Sequence, residues 1–183
     1  MGKVVQSLST DHQAFIARQP LFFVASAPAS LDGHVNLSPK GLDSFRVLDA
    51  QTVIYLDITG SGNETAAHVA ENGRLTIMFC AFEGQPKILR LYCHGRVVTP
   101  RSPDWTALIS RFPAVPGTRQ VIVGDVYGVQ SSCGFGVPRL SFVEHRDQLT
   151  TWAAAKGEQG LVEYRRAKNA ISLDGLLTPE TER

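Results

Sequence analysis

Apolar residues come in short runs punctuated by Gly, Pro, Asn and Asp, and only a few stretches carry helical spacing. The pattern predicts strands over residues 21–26, 35–38, 45–48, 52–57, 75–82, 88–98 and 121–130, with a last one around 140–143. Residues 88–98 alternate most clearly: Leu89, Leu91, Cys93, Gly95 and Val97 share one face, while Arg90, Tyr92, His94 and Arg96 share the other. The near-continuous apolar run 75–82 suits a strand buried on both sides. Asp32-Gly33 reads as a tight hairpin turn, and Pro39 is expected to end the returning strand.

Helical signals are fewer. Ser9, Thr10 or Asp11 could cap a helix that Pro20 stops. A second helix is predicted over residues 64–71, closed by Asn72-Gly73 as a left-handed C-cap, and a third over 104–111. From residue 146 to 168 the apolar spacing turns helical around a weak point at residues 157–160. One interior helix among meandering strands predicts a mainly β fold with peripheral α: an antiparallel six- to eight-stranded barrel with a C-terminal helical segment. The expected division is a barrel over residues 1–145 and a helical extension, 146–183, packed on the same body. A length of 183 residues sits near one domain.

Charge narrows the function. Eighteen Lys plus Arg against seventeen Asp plus Glu leave +1, so no overall field favours nucleic acid or an anionic membrane, and an anion must be bound locally. No apolar stretch approaches the roughly 20 residues of a membrane span. The polar N-terminus suits neither a signal peptide nor N-myristoylation. Cys80, Cys93 and Cys133 are odd in number and widely spaced, which predicts free thiols in a reducing cytoplasm. The scattered histidines have no metal-ligand spacing, and no metal is expected.

Two segments combine polar chemistry with strand ends. In "NLSPKG", residues 36–41, Ser38 is a hydrogen-bond donor, Lys40 a point charge and Gly41 a site of close backbone approach; an ordinary Ser-Pro turn explains the segment equally well. In "GSGNET", residues 60–65, a strand meets a helix whose first amides and dipole attract anions. It is neither a P-loop nor a dinucleotide fingerprint, and helix capping by Ser61, Asn63 or Thr65 is the plain alternative. Arg90 and Arg96 beside Tyr92 and His94 form either an anion grip or a solvated or subunit-facing surface. No nucleophile elbow is present, and the loop "SSCGFGVP", residues 131–138, reads as a glycine-shaped pocket wall or a buried small cysteine.

Taken in order, "NLSPKG", "DITGSGNET", "RLTIMFCAFEGQPKILRLYCHG" and "SSCGFGVP" resemble the pyridoxamine 5′-phosphate oxidase-like family of FMN-binding split barrels, over roughly residues 10–145. The resemblance implies a homodimer with FMN in clefts between subunits. It implies phosphate or flavin contact for Ser38, Lys40, Ser61, Asn63 and Thr65, with Thr76, Met78 and Arg90 as neighbouring-strand candidates, and it names no catalytic side chain.

The chain departs from the authentic oxidases, which carry a basic phosphate-binding run near the internal helix and C-terminal Arg-x-His and Arg-Leu-x-Pro patterns. Vitamin B6 is therefore not the expected substrate. The expected activity is FMN-dependent electron or hydride transfer from a reduced donor to a small organic acceptor or oxygen. The alternatives are a non-catalytic flavin carrier or store, an F420- or haem-binding split barrel, and a cofactor-free dimer.

Overall fold

The computed structural model describes residues 4–179; what the sequence suggests for residues 1–3 and 180–183 lies outside them. The order is β1 (Val4–Val5), α1 (Thr10–Ile16), β2 (Phe22–Ser26), β3 (Asn36–Lys40), β4 (Phe45–Val47), β5 (Thr52–Ile58), α2 (Glu64–Asn72), β6 (Arg74–Cys80), β7 (Ile88–Val98), α3 (Trp105–Ile109), β8 (Thr118–Ser132) and α4 (Gln148–Lys168). One antiparallel sheet runs β3-β2-β6-β7-β8-β5-β4, with β1 added to β8. The strands curl into a half-barrel that is split: β3 and β4, the two ends of the path, do not pair.

The core follows the strand alternation. Leu75, Ile77 and Phe79 of β6 and Leu89, Leu91 and Cys93 of β7 are buried inward. Phe22, Phe45, Tyr55 and Phe79 meet there with ring centroids 5.0–5.8 Å apart, mostly edge to face. A second cluster covers the outer face of β5 and β8, where Ile54, Leu56, Val121 and Val123 pack with Phe112 and the half-buried side chains of α3. That double coverage explains why the middle of β5 is buried without alternation.

Local signals act as their chemistry suggests. The Ser9 hydroxyl accepts from the His12 amide and the His12 ring accepts from the Ser9 amide, closing a capping box at α1. Gly73 takes φ 70° at the C-cap of α2. The C-terminal helix breaks at Gly157, inside the weak point read from sequence, and buries Ala153 and Leu161.

Four local expectations are corrected. Residues 140–143 form no strand; they run irregularly, exposed at Leu140, Phe142 and Val143, beside residues 82–84. Asp32-Gly33 is no tight hairpin turn but part of a loop from Ala27 to Val35, because β2 and β3 pair only from Ser26 opposite Asn36. Pro39 lies inside β3 and is tolerated because β3 is an edge strand. Strand β6 is not buried on both sides: Thr76 and Met78 are only half-buried on its outer face.

Candidate functional site

The split itself forms the site. A cavity of about 400 Å³ lies between β3, the end of β5, the loop into α2 and the start of β8, within the roughly 300–1,000 Å³ typical of small-molecule pockets. Ser38, Lys40, Ser61, Asn63 and Thr65 all line it. Thr76, Met78 and Arg90 do not. They lie together on the outer face of β6 and β7, where Met78 pairs with Arg90 across the strands and Arg90 donates to the Ser132 hydroxyl at 3.2 Å.

A buried ionic network braces the cavity wall. Asp57 Oδ2 accepts from Arg119 Nε at 3.0 Å, Arg119 Nη2 at 2.7 Å and Gln120 Nε2 at 2.7 Å. Its other oxygen accepts from Lys40 Nζ at 3.4 Å, so Lys40 bridges the unpaired edge of β3 to β5. Burial alone would raise the Asp57 carboxyl; the Arg119 guanidinium and then the Lys40 ammonium outweigh it and hold it below the ordinary range. Gln120 Nε2 also donates to Asn63 Oδ1 at 2.8 Å, which fixes the Asn63 amide and leaves its Nδ2, in a side chain 4% exposed, without an acceptor among the described residues.

The loop and helix start supply further donors. Asn63 makes no side-chain cap, and the amides of Ser61 to Ala66 donate to no acceptor among the described residues. Asn36 Nδ2 donates to Thr65 Oγ1 at 2.9 Å, which leaves the Thr65 hydroxyl proton for another partner. Behind it, Asn36 also donates to Ser26 Oγ, which pairs with the buried His68 Nδ1 at 3.0 Å. A concave wall with a lysine, a run of open amides and a buried unpaired amide donor suits a small anion such as a phosphate group.

A second cavity of about 560 Å³ adjoins this one through Gly41 and Ser44, with Phe22, Phe45 and Phe79 in its wall. Leu42 and Asp43, between the shared residues, take φ 62° and 51°, a left-handed backbone uncommon for Leu. Among the described residues no group of acids, cysteines and histidines could hold a metal ion, and no helix is long and apolar enough to cross a membrane.

Sequence patterns left Asp57, Arg119 and Gln120 out of the site. Their signal was a run of charged or amide side chains at the ends of otherwise apolar strands, where burial demands a partner. Asn169, which joins Arg119 to the loop at Gly60, carries no such signal.

Comparison with known proteins gives one answer. Residues 8–133 match the family model described as pyridoxamine 5′-phosphate oxidase. The pyridoxamine 5′-phosphate oxidase family protein ustO of Aspergillus flavus is 43% identical over 188 aligned positions, covering 93% of this chain and 75% of that protein. Among solved structures, HupZ of Group A Streptococcus aligns with TM-score 0.54 at 20% identity over 73% of this chain and 99% of the other. A candidate pyridoxamine 5′-phosphate oxidase from Lactobacillus delbrueckii aligns with TM-score 0.53 at 15% identity, over 68% and 98%. With the half-barrel and its split in place, the match over most of the chain is decisive: the protein belongs to the pyridoxamine 5′-phosphate oxidase family.

Proposed function

We propose that the cleft between β3 and β5 binds FMN by its phosphate and that the protein is an FMN-dependent oxidoreductase. The observation that carries this reading is the run of acceptor-free amides from Ser61 to Ala66 beside the unpaired, buried Asn63 Nδ2. Ser61, Asn63 and Thr65 donate to the phosphate there. Lys40 supplies positive charge while Asp57 neutralises the buried Arg119. Bound flavin supplies the two-electron exchange between a reduced donor and a small acceptor or oxygen. The chain's own part is to hold the anion, exclude water through the aromatic wall of the adjoining cavity, and fix the ligand by one end.

A second copy of the chain completes the cleft in this reading. The outer face of β7 and β8 favours it, since Tyr92 and Tyr127 stack there at 6.5 Å beside Arg90 and Tyr127 is 54% exposed. The free thiols of Cys80, Cys93 and Cys133 fit a reducing cytoplasm.

The test is the absorption spectrum of gently purified protein, extraction of its cofactor, and light scattering. Yellow protein releasing FMN, reduced by NADH or NADPH and turning over with an acceptor, is the expected result. Colourless protein that ignores added FMN overturns the proposal; binding without turnover across a broad acceptor panel reduces it to a flavin carrier.

A further inference from the structure

The loop entering α2 is held from behind by a residue distant in sequence. Asn169 is 1% exposed and every polar atom of it is engaged. Its amide donates to the Arg165 carbonyl, its carbonyl accepts from the Thr178 hydroxyl, and its Oδ1 accepts from Arg119 Nη1 at 2.9 Å. The Arg119 contact fixes which side-chain atom is oxygen, because a reversed amide would set donor against donor. The remaining Nδ2 therefore points at the Gly60 carbonyl and donates to it at 3.1 Å.

Peptide geometry carries this into the cavity. In a trans peptide plane the carbonyl of one residue and the amide of the next point in opposite directions. Pinning the Gly60 carbonyl to Asn169 turns the Ser61 N–H away from the interior. Arg119 Nη1 does the same two peptides on, holding the Gly62 carbonyl at 3.2 Å and turning the Asn63 N–H away from itself. Both amides lack acceptors among the described residues, and Gly60, Ser61, Gly62 and Asn63 all line the cavity, where Asn63 Nδ2 is also unpaired. Asn169 itself does not line it. It lies beyond residues 8–133, which match the family model.

We propose that Asn169 is a positioning residue for an anion site: by locking the Gly60 carbonyl inward, it presents the Ser61 amide to the phosphate of the bound ligand. The inference rests on the FMN reading for the identity of that ligand but not for the existence of the anion site. Asn169→Asp keeps the acceptor for Arg119 and sets an oxygen against the Gly60 carbonyl, so the peptide must turn over. Asn169→Ala removes the lock without repulsion.

The experiment compares FMN with riboflavin, which lacks the phosphate, in fluorescence titrations of the full chain. Wild type should bind FMN the more tightly, and both variants should weaken FMN at least tenfold while changing riboflavin less than twofold. Parallel loss of both ligands, or unchanged FMN affinity, overturns the proposal. Titration with inorganic phosphate, read from backbone amide resonances, separates it from the flavin reading. Phosphate should move the Ser61 and Asn63 amides in wild type and leave Ser61 unmoved in a folded variant. If wild type ignores FMN yet its Ser61 amide responds to phosphate, the FMN reading fails and the anion site stands. If phosphate leaves that amide unmoved in wild type, the proposal fails, whether or not either variant folds.

Discussion

Arg119 presents two of its nitrogens to a single oxygen of Asp57, at 3.0 and 2.7 Å, with both residues buried at the rim of the cavity. Removing Arg119 leaves the buried Asp57 with only Gln120 and the longer 3.4 Å Lys40 contact, and a buried charge short of its main partner costs far more than the intact pair contributes. Arg119→Met should therefore destabilise the fold by about 3–5 kcal/mol. Urea unfolding measures this; a loss near zero would mean that water reaches Asp57 freely.

The same carboxylate sets part of the acid limit. Asp57 is held below its ordinary value, so the folded state binds fewer protons than the unfolded chain and stability falls as pH drops. The contribution stands in full above the unfolded Asp value of about 3.9 and is lost as pH falls through the depressed folded value. Asp57→Asn should flatten that limb of the stability profile, measured as urea midpoint against pH. An unchanged slope would assign the acid limit to other groups.

Lys40 has a different place, a quarter exposed at the edge of β3 with one of its three protons directed to Asp57. In the proposed site its remaining donors are free to pair with an anion while the contact to Asp57 persists. Lys40→Met should weaken FMN roughly tenfold, equivalent to about 1.4 kcal/mol, and affect riboflavin less. The salt dependence of FMN binding should also become shallower. Titration at two ionic strengths checks both, and equal losses for the two flavins would count against a phosphate role.

Much of this architecture was readable because strand alternation and the Asn72-Gly73 cap are local signals. The loop lining the cavity was equally local: Ser61, Asn63 and Thr65 sit within five residues of one another, at a strand-to-helix junction. What pattern could not supply was long-range pairing. Asp57 finds Arg119 across 62 residues and Arg119 finds Asn169 across 50, contacts set by how β5, β8 and the C-terminal segment meet. The apolar run at 140–143 misled for the complementary reason: no neighbouring strand offers it a ladder, so composition alone did not make it a strand.

Two glycines with left-handed backbones separate conformational cost from steric cost. At Gly73, φ 70°, an added Cβ would meet only the Gly95 carbonyl at an ordinary 3.6 Å. At Gly117, φ 83°, it would lie 2.8 Å from the Ala153 Cβ of α4 and 3.3 Å from Ile58. Gly73→Ala should cost about 1–2 kcal/mol, the left-handed penalty alone. Gly117→Ala should cost more, by the roughly 1–3 kcal/mol of overpacking, unless α4 shifts. Thermal unfolding of both variants gives the comparison, and equal losses would show that α4 yields at no cost.

Thiol reactivity provides an independent check on the strand register. Cys93 faces the core from β7, its sulfur 3.1 Å from where a Cβ on Gly124 would stand, and burial followed by the nearby Asp125 carboxylate pushes its pKa up to about 12. Burial also raises Cys80, against the pull of Arg90. Only the thiolate attacks a disulfide reagent, and attack needs access, so both buried cysteines should be inert in the folded protein. Cys133 is exposed in the loop after β8. A colorimetric disulfide reagent should therefore titrate one thiol in the native state and three in denaturant, with mass spectrometry placing the native adduct on Cys133. A one-residue slip of β7 would turn Cys93 outward and raise the native count to two.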